Sequence, residues 1–297
     1  MNIRRSTLFL LTIIIFTTGF VTSPTEDPNY VSSIKTWHQK RIESLKSEEG
    51  WLNLAGLFWL ENGKNTFGTD TKNDIVFPAG QSAPFMGYFT LQNGEVWANI
   101  HPQAKVLFNN EPVSSLKLFP TEHGIVLQSG SLRWFVIKRG DKYGIRLRDL
   151  ESPDLQQFKG IETYPIDSTW RIAAKLEAAA ADKKIPITDV LGQTLLQTSP
   201  GTLVFSIRGQ TYRLDAVESE KQLFIIFADQ TTGKETYGAG RYVYTEKPDA
   251  DGITYLDFNK ATNPPCVFTP YATCPLPPKQ NRLPIAITAG EKKYEEH

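Results

Sequence analysis

Residues 203–217 read Leu-Val-Phe-Ser-Ile-Arg-Gly-Gln-Thr-Tyr-Arg-Leu-Asp-Ala-Val, and this stretch indicates the fold most clearly. Short strand-like runs lie on both sides of Gly209, which predicts two antiparallel strands, 203–207 and 212–217, joined by a tight turn. The same pattern continues in three further runs: Leu223 to Phe227, Arg241 to Thr245 and Ile253 to Phe258. We therefore expect an antiparallel β-sheet or partial barrel within residues 161–297.

The start of this half is ambiguous between strand and helix. Apolar residues at Trp170, Ile172, Ala174 and Leu176 alternate with polar ones, which is strand periodicity. The alanine run 178–181 favours helix instead. We predict a strand here.

Residues 51–160 also consist of short apolar runs separated by Gly, Pro and Asn. Strands of this length and spacing are typical of a β-sandwich. The predicted strands are Trp51 to Leu60, Asn73 to Pro78, Tyr88 to Leu91, Val96 to Ile100, Val106 to Phe108, Gly124 to Gln128, Arg133 to Lys138 and Gly144 to Leu147.

The order of turns in this half resembles the forkhead-associated sandwich. The resemblance rests on four segments: Asn65 to Gly68, Asp74 to Pro78, the Asn93-Gly94 turn and Val106 to Val113. In that family an arginine, a Ser-x-x-His pair and an asparagine hold a phosphopeptide. Here Lys64 stands at the arginine position, and Ser82 is followed three residues on by Phe85 instead of a histidine. The resemblance implies a fold and does not extend to phosphothreonine recognition.

Residues 24–50 are predicted to form an amphipathic helix, with its periodic part from Glu26 to Glu49. Side chains recur on one face at intervals of three and four residues: Tyr30, Ile34, Trp37, Arg41 and Leu45. We interpret Trp37 as the residue that anchors this helix on the core.

Residues 1–23 have the features of a cleavable secretory signal. Arg4 and Arg5 precede a mostly apolar segment, Leu8 to Val21. A membrane anchor is the alternative, but the apolar core from Leu8 to Phe16 is short for a span of about 20 residues. We expect an exported protein, periplasmic or extracellular, with no stable membrane anchor after the signal is cleaved.

The composition describes a folded chain without a general affinity for polyanions. Thirty-two Lys and Arg residues balance thirty-two Asp and Glu residues, which argues against nucleic acid as a partner. A hydrophobic content of 40% is enough for a substantial core. The oligomeric state stays open.

The C-terminal half carries the most specific motifs. Residues 229–242 read Asp-Gln-Thr-Thr-Gly-Lys-Glu-Thr-Tyr-Gly-Ala-Gly-Arg-Tyr, and residues 256–275 read Leu-Asp-Phe-Asn-Lys-Ala-Thr-Asn-Pro-Pro-Cys-Val-Phe-Thr-Pro-Tyr-Ala-Thr-Cys-Pro. Together with Trp51 to Gly68, these segments resemble the bacterial and archaeal domain-of-unknown-function family 1684. The resemblance covers most of the chain after the signal and implies little about activity.

The first candidate for a site is the Gly-Arg loop in the C-terminal tail, which we define as residues 229–297. Gly238 and Gly240 allow the backbone to approach a neighbouring group closely, and Arg241 follows at once. Its guanidinium is suited to a carboxylate or phosphate. The alternative is structural, with Arg241 paired to Glu235 or Asp257.

The remaining candidates come from the same tail. Glu235 and Asp257 are the acid/base candidates, although acidic and amide side chains before loops commonly shape turns. Aromatic side chains near Arg241 are expected either to line a cleft or simply to pack. The candidate ligand-binding residues are Arg241, Glu235, Asp257, Asn259, Tyr237 and Tyr271.

The two cysteines, Cys266 and Cys274, are separated by seven residues, which predicts a disulfide in an oxidising compartment. No metal site is expected, because the four histidines are far apart in the sequence and zinc needs several converging ligands. No cofactor motif is present: a strand, not a helix, is predicted after the Gly-x-Gly at residues 238–240.

Two classes of function follow from these observations. The first is a binding module of the cell envelope with a small anionic or envelope ligand in its C-terminal domain. The second is an enzyme with hydrolase- or lyase-like chemistry, in which Arg241 clamps a small anionic substrate and Glu235 or Asp257 transfers the proton. No catalytic residue is assigned from the sequence alone.

Overall fold

A computed structural model describes residues 27–80 and 82–294. The predicted signal, residues 1–23, lies outside this part of the chain. None of the helices within the described ranges has the length and apolarity needed to cross a bilayer.

The first element is the helix α1 (Pro28–Lys46), a few residues shorter at each end than expected. It begins where the Asp27 side chain accepts a hydrogen bond from the Asn29 backbone, as an N-cap does. Ile34 and Leu45 are completely buried, whereas Trp37 is half-buried and lines a cleft. The anchoring role predicted for Trp37 is therefore wrong, because three residues turn a helix about 60° away from the Ile34 direction.

Residues 54–149 form two facing sheets, as the predicted sandwich requires. Their strand orders are β3-β2-β4-β5-β8 and β1-β11-β10-β9-β6-β7. The strands are β1 (Leu54–Trp59), β2 (Gly63–Gly68), β3 (Ile75–Val76), β4 (Gly87–Gln92), β5 (Glu95–Ile100), β6 (Leu107–Phe108), β7 (Glu111–Pro112), β8 (Ser115–Phe119), β9 (Leu127–Ser129), β10 (Leu132–Arg139) and β11 (Lys142–Asp149).

The core between these sheets is aromatic. Phe67 stacks on Phe89 with ring centroids 4.3 Å apart, and Trp134 meets the edge of Phe77 at 5.4 Å. Three strands were not among those predicted: β2, β8 and the two-residue β7. In β2 and β8 the solvent-side residues are polar, so their apolar runs are too short to stand out.

The second half forms a nearly closed antiparallel barrel, after the short helix α2 (Pro153–Gln157). Its strand order is β18-β17-β16-β15-β12-β19. The strands of this half are β12 (Arg171–Ala178), β13 (Lys184–Thr188), β14 (Thr194–Thr198), β15 (Gly201–Ile207), β16 (Gln210–Ser219), β17 (Gln222–Phe227), β18 (Arg241–Glu246) and β19 (Ile253–Asp257).

Three features of the barrel bear on the predictions. The strand predicted over the ambiguous residues 170–177 is confirmed as β12, and the hairpin around Gly209 is confirmed as β15 and β16. The side chains of Thr245 and Thr254 are hydrogen-bonded at 2.8 Å where β18 approaches β19. The hairpin β13–β14 lies outside the barrel and was not predicted.

Helix α1 precedes the sandwich in sequence but packs on the barrel. Tyr30 bonds Asp257, and Arg41 pairs with Glu291. Leu45 joins a small core with Leu52 of the sandwich and with Phe268 of the tail. Helix, sandwich and tail therefore meet in one place.

Candidate functional site

The best-formed candidate site lies where β19 ends against α1. A single 3-10 turn, Phe258–Lys260, follows the strand, and Asp257 caps it by accepting a hydrogen bond from the Asn259 backbone at 3.1 Å. The turn directs Phe258 into the barrel core and keeps Asp257 beside the helix.

The Asp257 carboxylate is bonded through only one of its oxygens. Oδ1 accepts hydrogen bonds from the Tyr30 hydroxyl at 3.0 Å, from the Asn259 backbone and from the Asn259 side-chain amide at 3.3 Å. Among the described residues no hydrogen bond goes to Oδ2. Asp257 also lines an open cleft of about 650 Å³. The residue is 5% exposed, so the protein orients the carboxylate through Oδ1 at the border of the cleft and leaves Oδ2 without a described hydrogen bond.

Aromatic and cationic side chains form the walls of this cleft. Trp37 comes from α1, Tyr244 from β18 and Tyr255 from β19, and both tyrosines are close to half-exposed. The Arg171 guanidinium lies over the Tyr255 ring, 3.9 Å from its centroid. Lys260 is the last residue of the 3-10 turn that Asp257 caps and also borders the cleft.

The other charged groups around the cleft are already engaged. Lys247 pairs with Glu218 at 2.9 Å, and Glu246 accepts a hydrogen bond from Gln222. Asp249 caps its own loop by accepting bonds from the Asp251 and Ile253 backbones. Arg171, Lys260 and Asp257 are consequently the charged groups best placed to meet a ligand.

Burial changes the titration of the groups behind Asp257. Desolvation, followed by the Asp257 charge, raises the pKa of Tyr30 above its usual range, so its hydroxyl remains a donor. Desolvation lowers the pKa of His38, which hydrogen-bonds the Asn259 backbone, so its imidazole is neutral at pH 7. The carboxylate therefore has neutral neighbours on its helix side.

Asn259 stands behind this site instead of lining it. Its amide donates to the Tyr30 hydroxyl at 2.9 Å and to the Asp167 carbonyl at 2.8 Å, and its oxygen accepts from the Asp167 backbone at 3.1 Å. The residue is 1% exposed. Asn259 orients Asp257 and has no free polar group to offer a ligand.

Arg241 lies in the interior of the protein. Its side chain is completely buried and pairs with the equally buried Asp229 at 2.9 Å. It also donates to the carbonyls of Ile287, Ala289 and Glu291 in the C-terminal segment. Neither alternative partner, Glu235 or Asp257, holds it. The guanidinium is occupied by protein groups, which supports a structural role and leaves the predicted ligand clamp without an accessible face.

In the loop before Arg241, the backbone approaches a neighbouring group closely, as its glycines predicted. Gly240 has a φ of +85°, and a Cβ at this position would lie 2.5 Å from the Phe227 carbonyl oxygen. Only glycine tolerates both the left-handed backbone and this approach. The glycine brings β18 close to the end of β17, which aligns Arg241 with the buried Asp229.

Glu235 lies in a different cleft from Asp257. It is exposed, accepts a hydrogen bond from the Tyr164 hydroxyl at 2.9 Å, and borders a lysine-rich groove of about 420 Å³. Burial and Glu235 together raise the pKa of Tyr164 to about 12. The two carboxylates proposed as an acid/base pair do not share a cleft, so Asp257 alone remains for proton transfer in the larger one.

The remaining tail residues serve packing. Tyr237 packs on the core formed by Leu45, Leu52 and Phe268, and Tyr271 is half-buried in the loop that the cysteines close. The predicted disulfide between Cys266 and Cys274 is confirmed, with Cα atoms 6.1 Å apart. The loop closed by the disulfide, residues 266–274, does not line the cleft beside Asp257.

Comparisons with known proteins agree with the tail motifs. Residues 156–292 match the family described as "Protein of unknown function (DUF1684)". The chain belongs to this family. The resemblance predicted from residues 229–275 is confirmed, although the DUF1684 match does not reach Trp51 to Gly68.

Structural comparison finds similar solved proteins. One is the solution NMR structure of an uncharacterized protein of Haloarcula marismortui, 32% identical. The alignment covers 49% of the present chain and 83% of that protein, with a TM-score of 0.41. No curated protein sequence matches the chain.

Sequence reasoning missed most of the residues that surround Asp257 in this DUF1684 protein. Arg171, Tyr244 and Tyr255 border the cleft but carry no motif, and Lys260 lies within the motif 256–275 but was not chosen as a candidate. For the residues that α1 contributes, the sequence did contain a signal. The helical spacing that placed Tyr30 and Trp37 on a common face of α1 also brings both side chains toward β19.

A buried ion pair joins α1 to the C-terminal segment and makes a testable pH dependence. Glu291 is 1% exposed, pairs with Arg41 at 3.2 Å and accepts a hydrogen bond from the Asn263 backbone. Desolvation raises its pKa above the usual 4.5, with Arg41 opposing the shift. The native state therefore binds a proton at Glu291 more tightly than the unfolded chain does.

The stability that this proton contributes is complete below pH 4.5 and is lost as the pH rises through the raised value. We expect the wild-type protein to gain free energy of unfolding relative to Glu291→Gln as the pH falls from 7.5 toward 4.5. Urea titrations at several pH values measure the difference. A difference that shrinks on acidification would mean that Arg41 dominates and keeps Glu291 ionised.

Proposed function

We propose that this protein binds a small acidic, ring-containing ligand, of the class to which acidic sugars belong, in the cleft beside Asp257. The observation that carries the proposal is the Asp257 carboxylate at the border of the cleft, with three hydrogen bonds to Oδ1 and none to Oδ2 from the described residues, beside aromatic side chains and two cations. A concave site with a few convergent polar groups is the usual form of a small-molecule site.

Each wall of the cleft suits one part of such a ligand. The exposed parts of the Trp37, Tyr244 and Tyr255 rings offer apolar area for a sugar ring. Asp257 Oδ2 is an acceptor for a hydroxyl group, and a bond to a charged acceptor is stronger than one between neutral groups. Arg171 and Lys260 complement an acidic substituent.

We propose further that the protein acts outside the cytoplasm, in the periplasm or the extracellular space. Two features support this location. Residues 1–23 carry the pattern of a secretory signal, and the disulfide between Cys266 and Cys274 is typical of proteins that fold in oxidising compartments. An acidic glycan of the envelope is a ligand source in the same compartment.

Acid–base chemistry on the same ligand is the second candidate function. Asp257 is favoured as the proton-transfer group because its oriented carboxylate borders the cleft. Glu235 and Arg241 have no part in this version of the enzymatic hypothesis, since neither borders this cleft.

Isothermal titration of the purified protein with glucuronate, galacturonate and the matching neutral sugars tests the proposal. We expect binding of the acidic sugars, weakened at least about tenfold in Asp257→Asn, since a hydrogen bond to a charged group is worth about 1.5–3 kcal/mol. Lys260→Met should weaken the acidic sugars more than the neutral ones. NMR spectra of the ligand after incubation separate binding from turnover.

Two control variants keep the test specific. Tyr30→Phe removes the hydrogen bond to Oδ1 and leaves the carboxylate, so it should retain most of the binding. Lys142→Met changes an exposed lysine outside the cleft and should bind like the wild type. Equal binding by wild type and Asp257→Asn, or no binding of any acidic sugar, would refute the proposal.

A further inference from the structure

A second cationic site lies on the sandwich and shares no residue with the cleft. Arg146 stands on β11 between two apolar cross-strand neighbours, Leu57 of β1 and Phe135 of β10. It is 5% exposed, and its guanidinium lies 5.7 Å from the centre of the Trp51 ring. A charged side chain this deeply buried is costly unless it is paired.

Arg146 has no such pair in the described part of the chain. Its Nε and Nη2 atoms are buried and make no hydrogen bond. These two nitrogens form one edge of the guanidinium, the edge that holds a carboxylate or phosphate with two parallel hydrogen bonds. The unused groups are therefore the two that an oxyanion requires.

The charges closest to Arg146 have the same sign. Arg139 and Arg148 repel its charge and, together with burial as the largest cause, lower its pKa to about 10. Both neighbours are engaged elsewhere: Arg148 donates to the Asn53 side chain at 2.7 Å, and Arg139 donates to the Thr273 hydroxyl at 3.5 Å. The cluster holds an excess of positive charge beside a low-dielectric interior.

Arg241, the other buried arginine among the described residues, shows how the charge of such a group is balanced, although its own Nε also makes no hydrogen bond. Arg241 has a carboxylate partner in Asp229 and three carbonyl acceptors. Arg146 is buried to nearly the same degree and lacks any carboxylate partner among the described residues. An external anion would supply what the protein supplies to Arg241.

The disulfide-closed loop borders this cluster. Thr273 contacts Arg139, and the Thr269 hydroxyl donates to the carbonyl of Leu54, which is paired with Arg148 across β1 and β11. The cluster is thus at the boundary between the sandwich and the C-terminal tail. A group bound there would contact both halves.

We propose that Arg146 is the centre of an oxyanion-binding site, which takes a carboxylate or phosphate group side-on through Nε and Nη2 with Arg139 and Arg148 at its border. The ligand is small, because Arg146 is almost enclosed. The anion stabilises the boundary between the two halves, since it neutralises a charge that otherwise stays buried and unpaired.

Thermal unfolding of the full protein in sulfate, phosphate and acetate, at constant ionic strength, tests this site. We expect a saturable rise of the melting temperature in the wild type, with half-saturation at least about tenfold higher in Arg146→Met, consistent with loss of a charge-assisted bidentate contact. Sulfate also stabilises proteins non-specifically. That contribution is not saturable and is the same in both proteins. Arg213→Ala, which removes an exposed arginine outside both sites, should keep the full response.

The anions separate the two chemical sources. A lower half-saturating concentration for phosphate or sulfate assigns a phosphate-type ligand, and a lower value for acetate assigns a carboxylate; either supports the site. Arg146→Lys keeps the charge without the two-nitrogen edge and should bind the anion more weakly than the wild type does. This variant provides the test if Arg146→Met does not fold. A response that never saturates, or that is equal in the wild type and Arg146→Lys, would overturn the proposal.

Discussion

The Arg241→Ala variant is expected to lose about 3–5 kcal/mol of its free energy of unfolding. Removing one partner of a buried ion pair leaves the other charge uncompensated, and losses of this size are typical. Here the remaining charge is Asp229, whose side chain is completely inaccessible to solvent. The carbonyls of Ile287, Ala289 and Glu291 lose their donor in the same step.

Equilibrium unfolding in urea measures this loss, with Arg213→Ala as the matched control. Arg213 also pairs with a carboxylate, Glu177, but both side chains are more than half exposed, so little change is expected. Ligand titration completes the comparison. If Arg241→Ala kept wild-type stability but lost ligand binding, Arg241 would be a clamp after all and the structural assignment would fail.

The Phe258→Ala variant should lose about 3–5 kcal/mol and also weaken the site next to it. Phe258 is completely buried and packs against Trp170, Phe205 and Phe227, with ring centroids 5.3–6.3 Å apart. Truncating a buried phenylalanine removes its transfer free energy and leaves a cavity. Because Asp257 and Asn259 flank Phe258 in one 3-10 turn, the same cavity loosens the carboxylate.

Phe258→Leu serves as the graded control, since it keeps most of the buried volume and should cost much less. Denaturant midpoints and sugar affinity are measured on both variants. Affinity should fall with stability along the series. Unchanged affinity in a strongly destabilised Phe258→Ala would show that the turn holds Asp257 without help from the core.

Local pattern was sufficient for most strands of the barrel. The β15–β16 hairpin and the strand β17 follow from alternation and turn residues, which depend only on neighbours in the chain. The β13–β14 hairpin was missed because its apolar residues Ile185 and Ile187 pack on the outside of the barrel, against Val217, Ile226 and Tyr242. Nothing within residues 184–198 specifies that contact.

The residues of the candidate site were likewise predictable only in part. The tail motifs drew attention to Asp257, which does border the cleft, but the partners proposed for it were near in sequence. The residues that complete its surroundings come from α1 and β12, and Tyr30 lies 227 positions away from Asp257. Contacts of such separation arise only when the barrel has closed.

The amino-acid sequence by itself determined the family, the mainly β architecture, the N-terminal helix and the disulfide, because periodicity, turn chemistry and short cysteine spacing are local properties. Only the tertiary structure decided which charges are satisfied. It buried Arg241 against Asp229, left two nitrogens of Arg146 without a partner among the described residues and placed Asp257 at the border of a cleft. The electrostatic energy of a charged side chain depends mainly on the groups within a few ångströms, and in the folded protein those groups come from distant parts of the sequence.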